Sequence, residues 1–253
     1  MIGIFDSGSG GLTVLKAIRE EMPSADVVYF GDIKNAPYGS RSNSELSILT
    51  VRAIELLQKR GAESIVSACN SVSASLAVSL FDALSITPTQ LIEMVGPTVG
   101  YFKGSSARLL LVATPATIRS EIYQNAFHMI GKDIETMAIP DLATAIEFNS
   151  SEEEIESIIR SAFKNVQLNN FDALVLACTH YPLSLGTFER VLGNSIALFD
   201  PAVAVGARVK KRLWPREVGE GTTRFIISKD SKFFRDRVAQ LFPQSKFTIE
   251  VLD

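Results

Sequence analysis

Short apolar runs that stop at a polar residue or glycine alternate along this chain with longer segments of helical spacing. Residues 3–5 read as a first buried strand and residues 6–11 as a flexible, glycine-rich turn. Apolar positions then recur at helical spacing over 12–21, and Met22-Pro23 closes that helix. Residues 27–30 form a second strand, 35–40 a loop, and 44–60 a long amphipathic helix stopped by Gly61. A strand from Ser64 leads to Cys69 and a helix over 71–84, residues 91–93 are a further strand, and Val95-Gly96-Pro97 reads as a hinge. Beyond it, a strand over 109–113 enters Thr114-Pro115-Ala116-Thr117 and a helix, and the acidic run 150–156 opens a helix to about residue 168. Another strand ends at Cys178, with Pro182 where a first helical turn would begin. A helix from Asp200-Pro201 to near Trp214-Pro215, a strand over 224–227, a short helix from Ser231 and a strand over 247–252 complete the chain.

Strands alternating with helices predict an α/β fold with mostly parallel sheets. In such sheets ligands bind where strands end and helices begin, and Asp6, Cys69, Thr114 and Cys178 all occupy that kind of position. One stretch also occurs twice. Ser64-Ile65-Val66-Ser67-Ala68-Cys69-Asn70-Ser71 matches Ala173-Leu174-Val175-Leu176-Ala177-Cys178-Thr179-His180 in pattern, and outside it Glu63 pairs with Asp172 and Ser75-Leu76 with Ser184-Leu185. The chain has 2 cysteines, and they fall at equivalent points of this repeat.

With 253 residues the chain suffices for one large or two modest domains. A net charge of −3 argues against a nucleic-acid or membrane-surface partner, and the cluster Arg208, Lys210, Lys211, Arg212 reads as the solvated last turn of a helix. No apolar run reaches the ~20 residues that span a bilayer. The first residues are too short and lack the basic leader of a signal peptide. The expectation is a cytoplasmic protein whose cysteines stay thiols, a structural disulfide being the competing reading.

Several candidate sites compete. Asp6-Ser7-Gly8-Ser9-Gly10-Gly11 is not a dinucleotide fingerprint, because the third glycine would fall at Thr13, although such a loop can hold an anion. Cys178 and His180 could form a nucleophile–base pair of a hydrolase, since residues two apart share a strand face. That reading leaves Cys69 without a purpose. His128 reads as a helix-surface residue, and two cysteines with two histidines at no ligand spacing predict no metal site. Asp6 is a cap or a functional carboxylate, Glu147 a weaker candidate, and Pro37-Tyr38-Gly39 in isolation a bare turn. Two thiols presented by two similar lobes suit one task, proton transfer at opposite faces of one carbon. Ordinary thiols ionise near pH ~8.5, and a helix N-terminus lowers that value. Asp6 and His180 would manage protons at the thiols, while Ser7, Asn70, Ser71, Thr179 and backbone N–H groups would hold a carboxylate. In principle this chemistry needs no metal and no pyridoxal cofactor.

At these residues the chain resembles a known family. Phe5-Asp6-Ser7-Gly8 with Gly10-Gly11-Leu12-Thr13-Val14, Tyr29-Phe30-Gly31-Asp32, Pro37-Tyr38-Gly39, Ala68-Cys69-Asn70, Ala116-Thr117-Ile118 and Cys178-Thr179-His180-Tyr181-Pro182-Leu183 are together similar to bacterial glutamate racemases, of the cofactor-independent aspartate/glutamate racemase superfamily. The resemblance implies that Cys69 and Cys178 are the acid/bases, that Asp6 and His180 assist them, and that Glu147 lies near His180. It implies substrate contacts from Ser7, Pro37, Tyr38, Gly39, Asn70, Ser71, Thr114, Thr117 and Thr179. It also implies two α/β lobes with the site between them, the first built from 1–94 plus 206–253 and the second from 95–205. A homodimer making D-glutamate for peptidoglycan is the implied biology. Three positions depart from the family: Ser71 replaces the usual threonine, Ser184 leucine, and Ala177 glycine. Racemisation of another amino acid such as aspartate, and amino-acid binding without turnover, are the alternatives.

Overall fold

The computed structural model describes residues 1–73, 87 and 90–252. The expected helix over 71–84 therefore lies outside the described residues beyond Ser73, where a helix α3 (Asn70–Ser73) begins.

Two parallel sheets form the frame. The first contains β1 (Ile2–Asp6), β2 (Val27–Gly31), β3 (Ser64–Ser67), β4 (Leu91–Ile92), β9 (Thr223–Ile227) and β10 (Phe247–Val251), in the order β10-β9-β2-β1-β3-β4. The second contains β5 (Leu109–Ala113), β6 (Glu135–Ala138), β7 (Ala173–Leu176) and β8 (Ala197–Phe199), in the order β6-β5-β7-β8. The run β2-β1-β3-β4 repeats as β6-β5-β7-β8. In each sheet the chain leaves the first of these strands, pairs on one side and then crosses to the other, so β1/β3 and β5/β7 are switch points where a crevice opens. Cys69 follows β3 and Cys178 follows β7, so the sequence repeat is a repeat of architecture.

The strands read as apolar runs because both their faces are buried. In β1 and β2, Ile2, Ile4, Val27 and Tyr29 face one core while Phe5, Val28 and Phe30 face another. In β5 and β7, Leu110, Val112, Leu174 and Leu176 alternate with Leu109, Leu111, Ala173 and Val175 in the same way. Helix α1 (Leu12–Glu21) buries Leu12, Leu15 and Ile18, and the long α2 (Asn43–Lys59) opens with a capping box between Ser42 and Glu45.

Some elements differ from the expected pattern. Val95-Gly96-Pro97 is not a hinge but the first turn of α4 (Val95–Tyr101). Glu93 accepts from Val95 N at 2.5 Å and Gly96 N at 2.7 Å, and Pro97 is tolerated because first-turn N–H groups have no intrahelical partner. Strands β6 and β8 escaped the reading because they are short and half-exposed, with little apolar alternation. So did α5 (Pro115–Arg119) as a separate piece from α6 (Ile122–His128), whereas α7 (Leu142–Glu147) is the helical-looking stretch that ends at Glu147. Helix α8 (Glu152–Phe163), capped by Ser151, stops before the expected residue 168, where the polar Leu168–Asn170 segment turns as a 3-10 helix. Helix α9 (Leu185–Leu192) follows β7, and α11 (Lys232–Leu241) joins β9 to β10.

Helix α10 (Pro201–Leu213) leaves the second sheet and packs on α1, burying Ala202, Val205, Val209 and Leu213 in the first core. Gly206 permits the approach, since a Cβ there would stand 2.9 Å from the Ala17 carbonyl oxygen. Lys210 in its last turn is exposed and pairs with Glu21, whereas Arg208 is half-buried and Arg212 donates to the Leu91 carbonyl. No helix among the described residues is long and apolar enough to cross a membrane.

Candidate active site

The carboxyl ends of β1, β3, β5 and β7 converge on one cavity between the sheets. It is lined by Ser7, Ala36, Pro37, Tyr38, Gly39, Cys69, Asn70, Ser71, Thr114, Ala143, Glu147, Cys178, Thr179 and His180. Of the expected site residues, only Asp6 and Thr117 are missing from the wall, and both stand directly behind it. The cavity volume is ≈ 20 Å³, room for little more than one water. The lobes are closed.

The glycine-rich run after β1 is buried rather than a loose, solvent-facing turn. Its glycines are needed for close approach. A Cβ at Gly8 would lie 2.5 Å from a Glu147 carboxylate oxygen, and one at Gly10 would lie 2.6 Å from Thr179 Oγ1 and 2.7 Å from His180 Nδ1. The loop holds an anion, as its composition allowed, but that anion is the protein's own Glu147. Glu147 Oε2 accepts from Ser9 N at 2.9 Å, Ser9 Oγ at 2.7 Å and His180 Nε2 at 2.7 Å. Burial opposes the charge of Glu147, yet the bonds from His180 and Ser9 outweigh it and hold its pKa below the ordinary value. Burial likewise opposes a charged His180, and its contacts with Cys178 and Glu147 hold its pKa well above the ordinary value. The pair is an imidazolium–carboxylate couple, with His180 Nδ1 4.0 Å from Cys178 Sγ.

Cys69 has a different setting. Its Sγ lies 3.9 Å from Ser7 Oγ, and it precedes the helix that starts at Asn70. Burial, and then the negative charge of Asp6, push its pKa up to about 12, against smaller opposing bonds from Val72 N–H and Ser7. The expected lowering by a helix N-terminus is therefore present, as the bond from Val72 N–H at the helix start, and is overridden by the loss of water around a thiolate and by the charge of Asp6. Asp6 is fully buried. Its Oδ1 accepts from Gly8 N at 2.9 Å and its Oδ2 from Thr179 Oγ1 at 3.1 Å, and burial raises its pKa in spite of the nearby His180.

Hydroxyls from both lobes meet on another wall. Ser71 Oγ is 3.0 Å from Thr114 Oγ1, which is 3.1 Å from Thr117 Oγ1. Thr114 caps α5, and Gly39 O accepts from Ala116 N at 3.0 Å. The Pro37-Tyr38-Gly39 turn is thus docked on the opposite lobe, with Tyr38 donating to Asp32 Oδ2 at 2.6 Å. Both cysteines are free thiols, which removes the disulfide reading, and His128 is exposed at the end of α6 as expected. Among the described residues no group of three His, Cys, Asp or Glu side chains is placed to hold a metal ion.

Ser9 and Tyr123 also belong to the site and were not singled out from the sequence. Ser9 sits inside a run that reads as a turn able to hold an anion, with nothing to single out its own side chain. Tyr123, whose hydroxyl donates to Asn70 Oδ1 at 2.5 Å, carries no local signal at all.

Two lobes of like topology, each delivering one thiol to a shared closed cavity, define a two-lobed α/β protein with a paired-thiol cleft. The family model for Asp/Glu/hydantoin racemases matches residues 11–208, and the chain belongs to that family. It is 31% identical over 263 residues to glutamate racemase 3 of Caldanaerobacter subterraneus subsp. tengcongensis, covering 100% of this chain and 95% of the relative. Among solved structures it resembles a glutamate racemase isoform of Bacillus anthracis with a TM-score of 0.87 at 25% identity, covering 100% of this chain and 97% of that one. The glutamate racemase of Francisella tularensis in complex with D-glutamate matches with a TM-score of 0.84 at 26% identity, over 100% and 97% of the chains.

Proposed function

We propose that the protein interconverts L- and D-glutamate by proton transfer between Cys69 and Cys178 on opposite faces of the α-carbon. One thiolate removes the α-proton, leaving a carbanion, and the opposite thiol returns a proton to the other face; the reverse reaction exchanges the roles. The observation that carries the reading is that each of two like lobes places its one thiol in the wall of the same cavity.

The two thiols have different assistants. The His180–Glu147 couple stands at Cys178 and Asp6 at Cys69. With a pKa of about 12, ionising Cys69 near pH 8 costs about 5 kcal/mol. The α-ammonium of a bound amino acid is the positive charge that would offset this cost. Ser7, Asn70, Ser71, Thr114, Thr117 and Thr179 supply hydrogen bonds to the substrate, and Pro37, Tyr38 and Gly39 close over it. The side chains that do the chemistry require neither metal nor pyridoxal. Because the closed cavity admits little more than a water, substrate entry requires the two lobes to part, and Ala202 and Val205, packed in the first core, carry the whole of α10 with the first lobe. In this reading D-glutamate is drawn off for peptidoglycan, by a homodimer acting in the cytoplasm.

One observation favours a second reading. Cys178, His180 and Glu147 also line up as a nucleophile, base and orienting acid. A hydrolase of that kind has no use for Cys69. Chiral chromatography of L- and D-glutamate incubated with the protein and no added cofactor decides, with Cys69→Ala, Cys178→Ala and L-aspartate in parallel. Glutamate interconversion lost in both variants is the expected result. Turnover of aspartate alone changes the substrate, and activity surviving Cys69→Ala overturns the two-thiol mechanism.

A further inference from the structure

Asn70 and Tyr123 make a buried contact across the lobes at the cavity wall. Asn70 follows Cys69 directly, opens α3 and lines the cavity. Tyr123 lies on α6, beside the second sheet, and is fully buried. Its hydroxyl donates to Asn70 Oδ1 over 2.5 Å. So short a separation suits an O–H···O bond, whereas N–H···O bonds centre near ~2.9 Å, so the phenol faces Oδ1 and not Nδ2. Burial pushes the Tyr123 pKa far up, with the charge of Glu93 adding to it, and the hydroxyl stays a neutral donor.

That arrangement leaves Nδ2, which carries two N–H donors, as the free end of the amide. Nδ2 is buried and has no hydrogen-bond partner among the described residues. A buried donor without a protein partner is one that a ligand or an ordered water completes.

We propose that Tyr123 is a positioning residue, which holds the Asn70 amide with its NH2 group turned toward a carboxylate oxygen of the bound amino acid. The identity of that carboxylate rests on the racemase reading. The terminal torsion of asparagine is broad and roughly two-fold, so an unheld amide presents either end. When Oδ1 faces a carboxylate the contact is repulsive, and binding is lost without any change to the thiols. The two residues stand on different lobes, so the amide is set only when the lobes are together.

Tyr123→Phe removes one oxygen and keeps the ring. The dissociation constant for D-glutamate by calorimetry, with kcat and KM in both directions, is measured for the wild type, Tyr123→Phe, Asn70→Ala and the double variant. Tyr123→Phe is expected to raise Kd and KM about tenfold while kcat stays within about threefold, and to have no further effect on Kd in the Asn70→Ala background. The same loss in that background, or a fall in kcat at unchanged Kd, overturns the proposal. Should Tyr123→Phe fail to fold, Asn70→Asp keeps the acceptor for Tyr123 and replaces the NH2 group; an unchanged Kd there overturns it equally, and a Kd raised about tenfold or more supports it. Wild type that binds D-glutamate without turning it over removes the racemase reading while the Kd comparison still decides the role of Tyr123. Wild type that does not bind D-glutamate removes both.

Discussion

Replacing Asp6 with asparagine separates two effects that the site couples. Cys69 stands near pKa 12, so about one molecule in ten thousand carries the thiolate at pH ~8. Burial is the larger cause and the Asp6 charge the second. Removing that charge while leaving the burial therefore lowers the Cys69 pKa and raises its thiolate fraction, about tenfold for each ~1.4 kcal/mol of repulsion removed. The asparagine side chain keeps an acceptor for Gly8 N and a partner for Thr179 Oγ1, so the loop is retained. Alkylation by iodoacetamide follows thiolate concentration, and in a Cys178→Ala background Cys69 is the only cysteine left of the chain's 2. Asp6→Asn should speed alkylation of Cys69 near pH 8 and move its pH profile to lower pH. In the enzyme with both cysteines the same substitution should slow racemisation by about 100-fold or more, the size of a lost acid–base assistant. Faster alkylation with slower turnover is the signature. Alkylation that is unchanged or slower refutes the electrostatic argument, and undiminished turnover refutes the assisting role.

Two further substitutions test the second thiol's surroundings. Glu147→Gln keeps the shape of the carboxylate and removes the charge that His180 and Ser9 address; breaking such a buried pair costs about 3 kcal/mol. The raised pKa of His180 stabilises the fold below its unfolded value and is lost as pH rises through the folded one, while the lowered pKa of Glu147 stabilises above its unfolded value and is lost in acid. The gap between wild type and Glu147→Gln in urea unfolding should therefore be widest between about pH 4.5 and 6.5 and narrow at alkaline pH; a gap independent of pH sinks the assignment. Gly10→Ala adds no ionisable group but puts a methyl 2.7 Å from His180 Nδ1 and 2.6 Å from Thr179 Oγ1. Displacing those groups should lower kcat/KM about 100-fold, and a loss under about threefold would show that the loop yields without moving them.

Much of this was readable along the chain. Local spacing carries strand and helix, and burial of both sheet faces makes β5 and β7 continuous apolar runs and β1 nearly so. The duplicated run to Cys69 and Cys178 announced two similar lobes, because like topology asks for like strands and like strand ends. The edge strands β6 and β8 were silent, since a short half-exposed strand has few positions that must be apolar. Val95-Gly96-Pro97 misled for a related reason: glycine and proline mark a break in isolation, and only Glu93 accepting from the amides of Val95 and Gly96 makes them a helix start.

The sequence by itself determined the alternation of elements, the repeat and the two thiols, because these are properties of neighbours. Pairings across the lobes lie beyond that reach. Ser9 meets Glu147 across 138 positions, Asp6 meets Thr179 across 173, and Asn70 meets Tyr123 across 53. The same holds for the ionisation of the site. A thiol at the head of a helix predicts a lowered pKa, and only tertiary burial beside Asp6 turns Cys69 the other way, because desolvation depends on everything that surrounds a group and not on what precedes it in the chain.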